Sequence, residues 1–144
     1  MRYSPAPSGF TLMELMLCFC IVGIVCGLSL PSWRRLQDRL AVDGATSALA
    51  RALFDARHRA TRLAQLHSVI LDTSAGLVTI RARGSANMTV HLRQSFGVSL
   101  ATTRDSISYA STGLGYGAAN VRYRVTRGSA AETVTVSRTG RVLR

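Results

Sequence analysis

Arginine is the main source of chemistry in this chain. All 18 of its basic residues are arginine, against seven acids, and the formal net charge is +11. Arg122, Arg124, Arg127, Arg138, Arg141 and Arg144 fall within the last 23 residues, where Glu132 is the only acid. A guanidinium binds phosphate through paired hydrogen bonds, and an arginine-bearing loop can follow a phosphate backbone. A GC-rich genome accounts for arginine in place of lysine, but not for the excess of base over acid. That excess points to a polyanionic partner: nucleic acid, an anionic lipid surface or an acidic protein. In a hairpin, Arg122 and Arg124 share one face of a strand. Arg127 stands at the turn of that hairpin, and Arg138 and Arg141 flank a second turn at Thr139 and Gly140. A solvated basic strand end is the alternative to a binding site.

No other residue type forms a reactive set. His58, His67 and His91 are scattered, and no His/Cys cluster has metal-ligand spacing. Cys18, Cys20 and Cys26 all lie in one apolar run, where they act as small apolar side chains. A pair of carboxylates would need two of Asp72, Asp105 and Glu132 to meet by chance. Gly113, Gly115 and Gly117 lack the Lys-Ser/Thr of a phosphate-binding loop and the helix start of a dinucleotide site. The expectation is no enzyme, no cofactor and no metal site.

One further charge stands out by its surroundings. Residues 10–30 form a 21-residue apolar stretch whose only ionisable acid or base is Glu14. As a helix it spans about 31 Å, close to the hydrocarbon core of a bilayer. A carboxylate there costs roughly 2.5–3.5 kcal/mol on insertion scales, so it needs a reason. It either reaches the headgroup layer from near the end of the segment or has a charged partner. Pro31 ends the apolar run, and Trp33, Arg34 and Arg35 form an interfacial edge behind it. The apolar run carries no small-x-small site after it, unlike a secretory signal.

Downstream, roughly 110 residues allow one modest core. Residues 32–66 continue the helix, with Leu49, Leu53, Ala56, Ala60 and Leu63 on one stripe. Arg57, Arg59 and Arg62 read as a solvated helix face or a binding one, and Gly44 is a weak point. From His67 the period becomes two. Candidate strands are 68–72, 77–83, 88–93, 98–100, 106–109, 120–126, 132–138 and 141–144. Residues 111–119 form a glycine-rich loop with Tyr116 tucked inward. The expected class is α+β: a long N-terminal helix, membrane-spanning in its first half, on a C-terminal antiparallel β domain.

The string Gly9-Phe10-Thr11-Leu12-Met13-Glu14-Leu15 resembles the cleavage signature of type IV prepilins. The order of parts resembles the FimT/GspH group of minor pilins and pseudopilins. The matching pieces are residues 49–57, the strand at 68–71 and the closing Gly140-Arg141-Val142. The resemblance implies a leader at 1–9, a transmembrane and assembly helix at 10–30, its soluble half at 31–66 and the β domain at 67–144. It implies cutting after Gly9 by a prepilin peptidase, N-methylation of Phe10, and pairing of Glu14 with a neighbouring subunit's amine. Pro31 falls where pilins carry a helix-kinking proline. The implied partners are other pilin or pseudopilin subunits, the peptidase, inner-membrane lipid and sequence-non-specific DNA. The implied location is a bacterial inner membrane with a periplasmic domain, in a type IV pilus or a type II secretion pseudopilus. In the FimT branch a C-terminal Gly-Arg-x-Arg motif is associated with DNA binding. Gly140 and Arg141 match it, Leu143 replaces the second arginine, and Arg144 follows one residue later. Arg127, Arg138, Arg141 and Arg144 are the expected DNA contacts. On a strand, Arg141 and Arg144 fall on opposite faces.

Overall fold

The computed structural model describes residues 9–82, 85–116, 121–137 and 139–144. The chain divides into two compact units, Met1–Arg34 and Arg35–Arg144. Helix α1 (Leu12–Arg62) runs for 51 residues. Its described side chains in the first unit are exposed on every side, as befits a segment with no polar face. It is the one helix among the described residues long and apolar enough to cross a membrane, with mean hydropathy 2.3 over its most apolar stretch. Pro31 ends the apolar run, but the helix continues through that position.

The second unit is built on the later part of α1. Val42, Ala45, Leu49, Leu53, Ala56 and Ala60 recur at steps of three and four and are all buried. Leu63, expected on the same stripe, is exposed because the helix has already ended. The expected end near residue 66 is therefore too late. Gln65 N–H donates to the Ala60 carbonyl (3.2 Å) and Ala64 N–H to that of Thr61 (3.4 Å). This is a Schellman closure, and it puts Ala64 at φ +48°. No glycine marks the stop in the sequence.

Two antiparallel sheets meet this stripe. The first sheet has the order β3-β2-β1-β5-β6. Its strands are β1 (His67–Asp72), β2 (Leu77–Ala82), β3 (Ser85–His91), β5 (Ser106–Tyr109) and β6 (Gly115–Tyr116). The second has the order β4-β7-β8-β9, from β4 (Ser99–Thr102), β7 (Val121–Arg127), β8 (Ala130–Val136) and β9 (Val142–Leu143). Val69, Leu71, Val78, Ile80 and Ile107 come from the first sheet into one core with Val121, Tyr123, Val125, Val134 and Val136 from the second.

The strand expected over 88–93 stops at His91. Leu92 begins a short helix, α2 (Leu92–Phe96), whose Leu92 and Phe96 turn to the core at a four-residue step. Phe96 explains Gly44: a Cβ at Gly44 would lie 2.8 Å from the Phe96 ring. What looked like a weak point in α1 is the place where α2 fits. Tyr116, expected inward, is exposed on β6.

Because Ala64 occupies a left-handed position that glycine adopts without strain, Ala64→Gly is expected to stabilise the second unit. The gain is roughly 0.5–1 kcal/mol after the entropy glycine adds to the unfolded chain. Urea unfolding followed by near-ultraviolet circular dichroism of the buried tyrosines measures it.

Candidate functional site

Two places hold the expected site residues. At the first, Gly9, Phe10 and Thr11 precede the helix and are exposed. Thr11 caps it: the Glu14 backbone N–H donates to Thr11 Oγ1 at 3.2 Å. This makes Thr11 the N-cap and Glu14 the third helical residue, the Thr-x-x-Glu arrangement of a capping box. A carboxylate there also faces the positive end of the helix dipole. The spacing of Thr11 and Glu14 in the sequence is what this cap requires. The Gly9–Phe10 bond thus lies in exposed, non-helical backbone directly before the cap.

The second place is the arginine-rich end. Arg127 closes β7 where the hairpin turns over Gly128 and Ser129. Its Nε lies 3.2 Å from Asp38 Oδ1 on α1, and its Nη1 donates to the Phe96 carbonyl. Arg144 is held more fully. Its Nε and Nη2 reach Glu132 Oε1 and Oε2 at 2.8 and 3.3 Å. It also pairs with Asp43, and its Nη1 donates to Ser47 Oγ at 2.9 Å. Strand alternation sends it that way. Val142 lies opposite buried Val136, exposed Leu143 opposite Thr135, and Arg144 turns back to α1. Arg138 lies outside the described residues. The Arg141 side chain is exposed and makes no hydrogen bond or ion pair among the described residues. The four arginines are therefore not one cluster: two are spent on carboxylates within the fold.

The turn before Arg141 depends on Gly140. Its N–H donates to the Ser137 carbonyl, Ser137 N–H to the Arg141 carbonyl (both 2.9 Å), and Arg141 N–H to Ser137 Oγ (3.1 Å). Gly140 is at φ +75°, and a Cβ would lie 2.8 Å from the Gly113 carbonyl oxygen. So Gly140 belongs to a close crossing of two loops, one from each sheet. Arg57 fastens them: Nε donates to the Gly113 carbonyl (3.1 Å) and Nη1 to that of Gly140 (3.4 Å). Arg57 is half-buried and serves the fold, unlike the exposed Arg59 and Arg62. Tyr109 packs beneath the crossing. Burial pushes its phenol up to about 12, with the Arg57 charge acting against this, and Tyr123 is also pushed up by burial. Among the described residues no three His, Cys, Asp or Glu side chains come together as metal ligands would.

No family model matches the chain, and no curated protein matches it by sequence. Solved structures do resemble it. A crystal structure of the type IV minor pilin FimU of Pseudomonas aeruginosa aligns with a TM-score of 0.63 at 14% identity, covering 73% of this chain and 88% of that one. A second crystal form of FimU gives 0.59 at 14% identity, over 70% and 90%. The minor pseudopilin EpsH of the Vibrio cholerae type 2 secretion system gives 0.54 at 16%, over 72% and 94%. The chain has the fold shared by minor pilins and minor pseudopilins, α+β with a long N-terminal helix on antiparallel sheets, as its sequence led us to expect.

The buried phenols set an alkaline limit. An unfolded tyrosine ionises near pH 10, whereas folded Tyr109 holds its proton to about pH 12. Stability is therefore full below pH 10 and falls as the pH rises toward 12, by about 3 kcal/mol for Tyr109. Tyr109→Phe, which removes a hydroxyl with no hydrogen-bond partner, should cost little at pH 7 and lessen the alkaline loss. Unfolding midpoints from pH 8 to 12 check both.

Proposed function

We propose that the chain is a minor pilin, processed and assembled into a type IV pilus. Prepilin peptidase cuts after Gly9, Phe10 becomes the N-methylated first residue, and residues 10–30 hold the product in the bacterial inner membrane. The second unit then stands in the periplasm. On assembly the apolar helices of neighbouring subunits pack together, and Glu14 meets the positive N-terminus of the next subunit, which neutralises a charge otherwise costly in apolar surroundings. Pro31 loosens α1 behind the anchor by removing one backbone donor. The observation that carries this reading is the exposed, non-helical backbone at Gly9 and Phe10, directly before the cap of a membrane-length helix, on a chain with the minor pilin fold. The place of Glu14 in the first helical turn fits it too: its carboxylate is close in sequence to the new terminus after cutting.

The pilus-borne role we propose is non-specific DNA binding from the arginine-rich end during uptake. Exposed Arg141 on its Gly140 turn, with Arg138 beside it in sequence, supports that role. Arg127 and Arg144 are engaged with carboxylates and contribute less directly. A minor pseudopilin of a type II secretion system, with a purely structural role, is the second reading. The likeness to EpsH favours it; the higher TM-score with FimU favours the pilus.

Glu14→Gln keeps the size of the side chain, and leaves the Thr11 cap in place, but removes the charge. Processing should be unaffected, while the share of the protein recovered in sheared fibres falls several-fold and the membrane pool rises. Equal recovery of the variant and the wild type in the fibre fraction contradicts the assembly role of Glu14.

A further inference from the structure

We propose that the phosphate-contacting surface is the outer face of the second sheet, with Arg122 and Arg124 as its contacts, and that Arg144 is not one of them. This rests on the DNA-binding reading above and assigns it different residues.

The register makes the face. Arg122 pairs with Thr135, and Arg124 lies between Ala101 and Thr133. Val121, Tyr123 and Val125 between them are buried, so both guanidinium groups point away from the core. Neither makes a hydrogen bond or ion pair among the described residues, in contrast to Arg57, Arg127 and Arg144. Two residues along a strand span about 6.7 Å, comparable with the step between successive phosphates of a nucleic acid strand. A shallow depression beside them is floored by Ala101, Ala131, Thr133 and Thr135. The alanines keep it low enough for a backbone to approach, and the threonine hydroxyls are further donors to phosphate oxygens. Leu143 lies opposite Thr135, so Arg141, two residues earlier and exposed, extends the row at its end.

The ligand chemistry follows from what lines the depression. It holds no aromatic side chain, so it offers no platform for unstacked bases. No helix is present there to enter a groove. The surface suits the ordered phosphates of duplex DNA and carries no base readout. Glu132, the one acid among its lining residues, lies opposite buried Val125 and turns to the α1 side, where Arg144 takes both of its carboxylate oxygens. Arg144, whose donors face Glu132, Asp43 and Ser47, is therefore directed to the other side of the sheet from Arg122 and Arg124.

The test uses the full chain in a non-ionic detergent and the anisotropy of a fluorescein-labelled duplex. If Arg122, Arg124 and Arg141 each neutralise one phosphate, the log–log salt slope is roughly −3, and binding weakens about fortyfold between about 50 and 200 mM salt. Arg122→Ala with Arg124→Ala should weaken binding at low salt at least tenfold and flatten the slope by about 2. Replacing both by Lys should keep the slope, which separates lost charge from a damaged fold. Arg51→Ala with Arg59→Ala, an equal charge loss on α1, should leave the slope unchanged. Arg144→Ala should leave the slope unchanged, because its guanidinium is held on the α1 side of the sheet. Wild-type binding undiminished by the Arg122/Arg124 pair, yet lost with Arg141→Ala, overturns this assignment and leaves the DNA reading standing. A slope flattened by about 1 in Arg144→Ala overturns the exclusion of Arg144 from the contacts. No binding by the wild type at low salt overturns the DNA reading and this inference together.

Discussion

One stripe of α1 carries the second unit. Val42, Leu49 and Leu53 alternate with Ala45, Ala52, Ala56 and Ala60, and all are buried. Large side chains fill the space under the sheets, and the alanines let strands approach the helix. Because both sheets contribute to the same core, neither has an apolar face covered without this helix. The fit extends to single atoms: Gly44 leaves room for Phe96, and the two loops that cross at Gly113 and Gly140 do so where Arg57 can reach both carbonyls.

The arginines sort by their place relative to that stripe. Those beside it are used by the fold. Arg57 satisfies loop carbonyls, Arg127 meets Asp38, and Arg144 binds Glu132, Asp43 and Ser47. Partly exposed pairs of this kind add modest stability, with the bidentate contact of Arg144 the strongest geometry among them. Those on the outer face of the second sheet, Arg122 and Arg124, keep their donors for solvent or a ligand. A high count of arginine near a terminus is thus a poor guide to a binding surface. What matters is which guanidinium groups the acids of the chain have already claimed.

Much of this was legible in residue order. The stripe on α1, the alternation in β1, β2, β5, β7 and β8, and the shared face of Arg122 and Arg124 follow from periods of 3.6 and two. The misses have physical causes. The end of α1 lacked a glycine, since Ala64 takes the left-handed position itself. His91 and Leu92 continued an alternating run, and only the packing of Leu92 with Phe96 makes a helix there. The division of the described strands between two sheets is set by pairings distant in sequence, such as Ser99 with Thr126 and His67 with Tyr109. The engagement of Arg127 and Arg144 was hidden for the same reason, because Asp38 and Asp43 are distant from them in sequence.

The proposed processing begins at the bond between Gly9 and Phe10, which lies outside the helix and ahead of its cap. On that proposal, cutting there gives a subunit whose own terminus meets Glu14 of the next. Mass spectrometry of the chain isolated from bacterial membranes that contain prepilin peptidase tests this directly. The account requires a mature protein that starts at N-methylated Phe10. An intact leader, or a first residue other than Phe10, would contradict it.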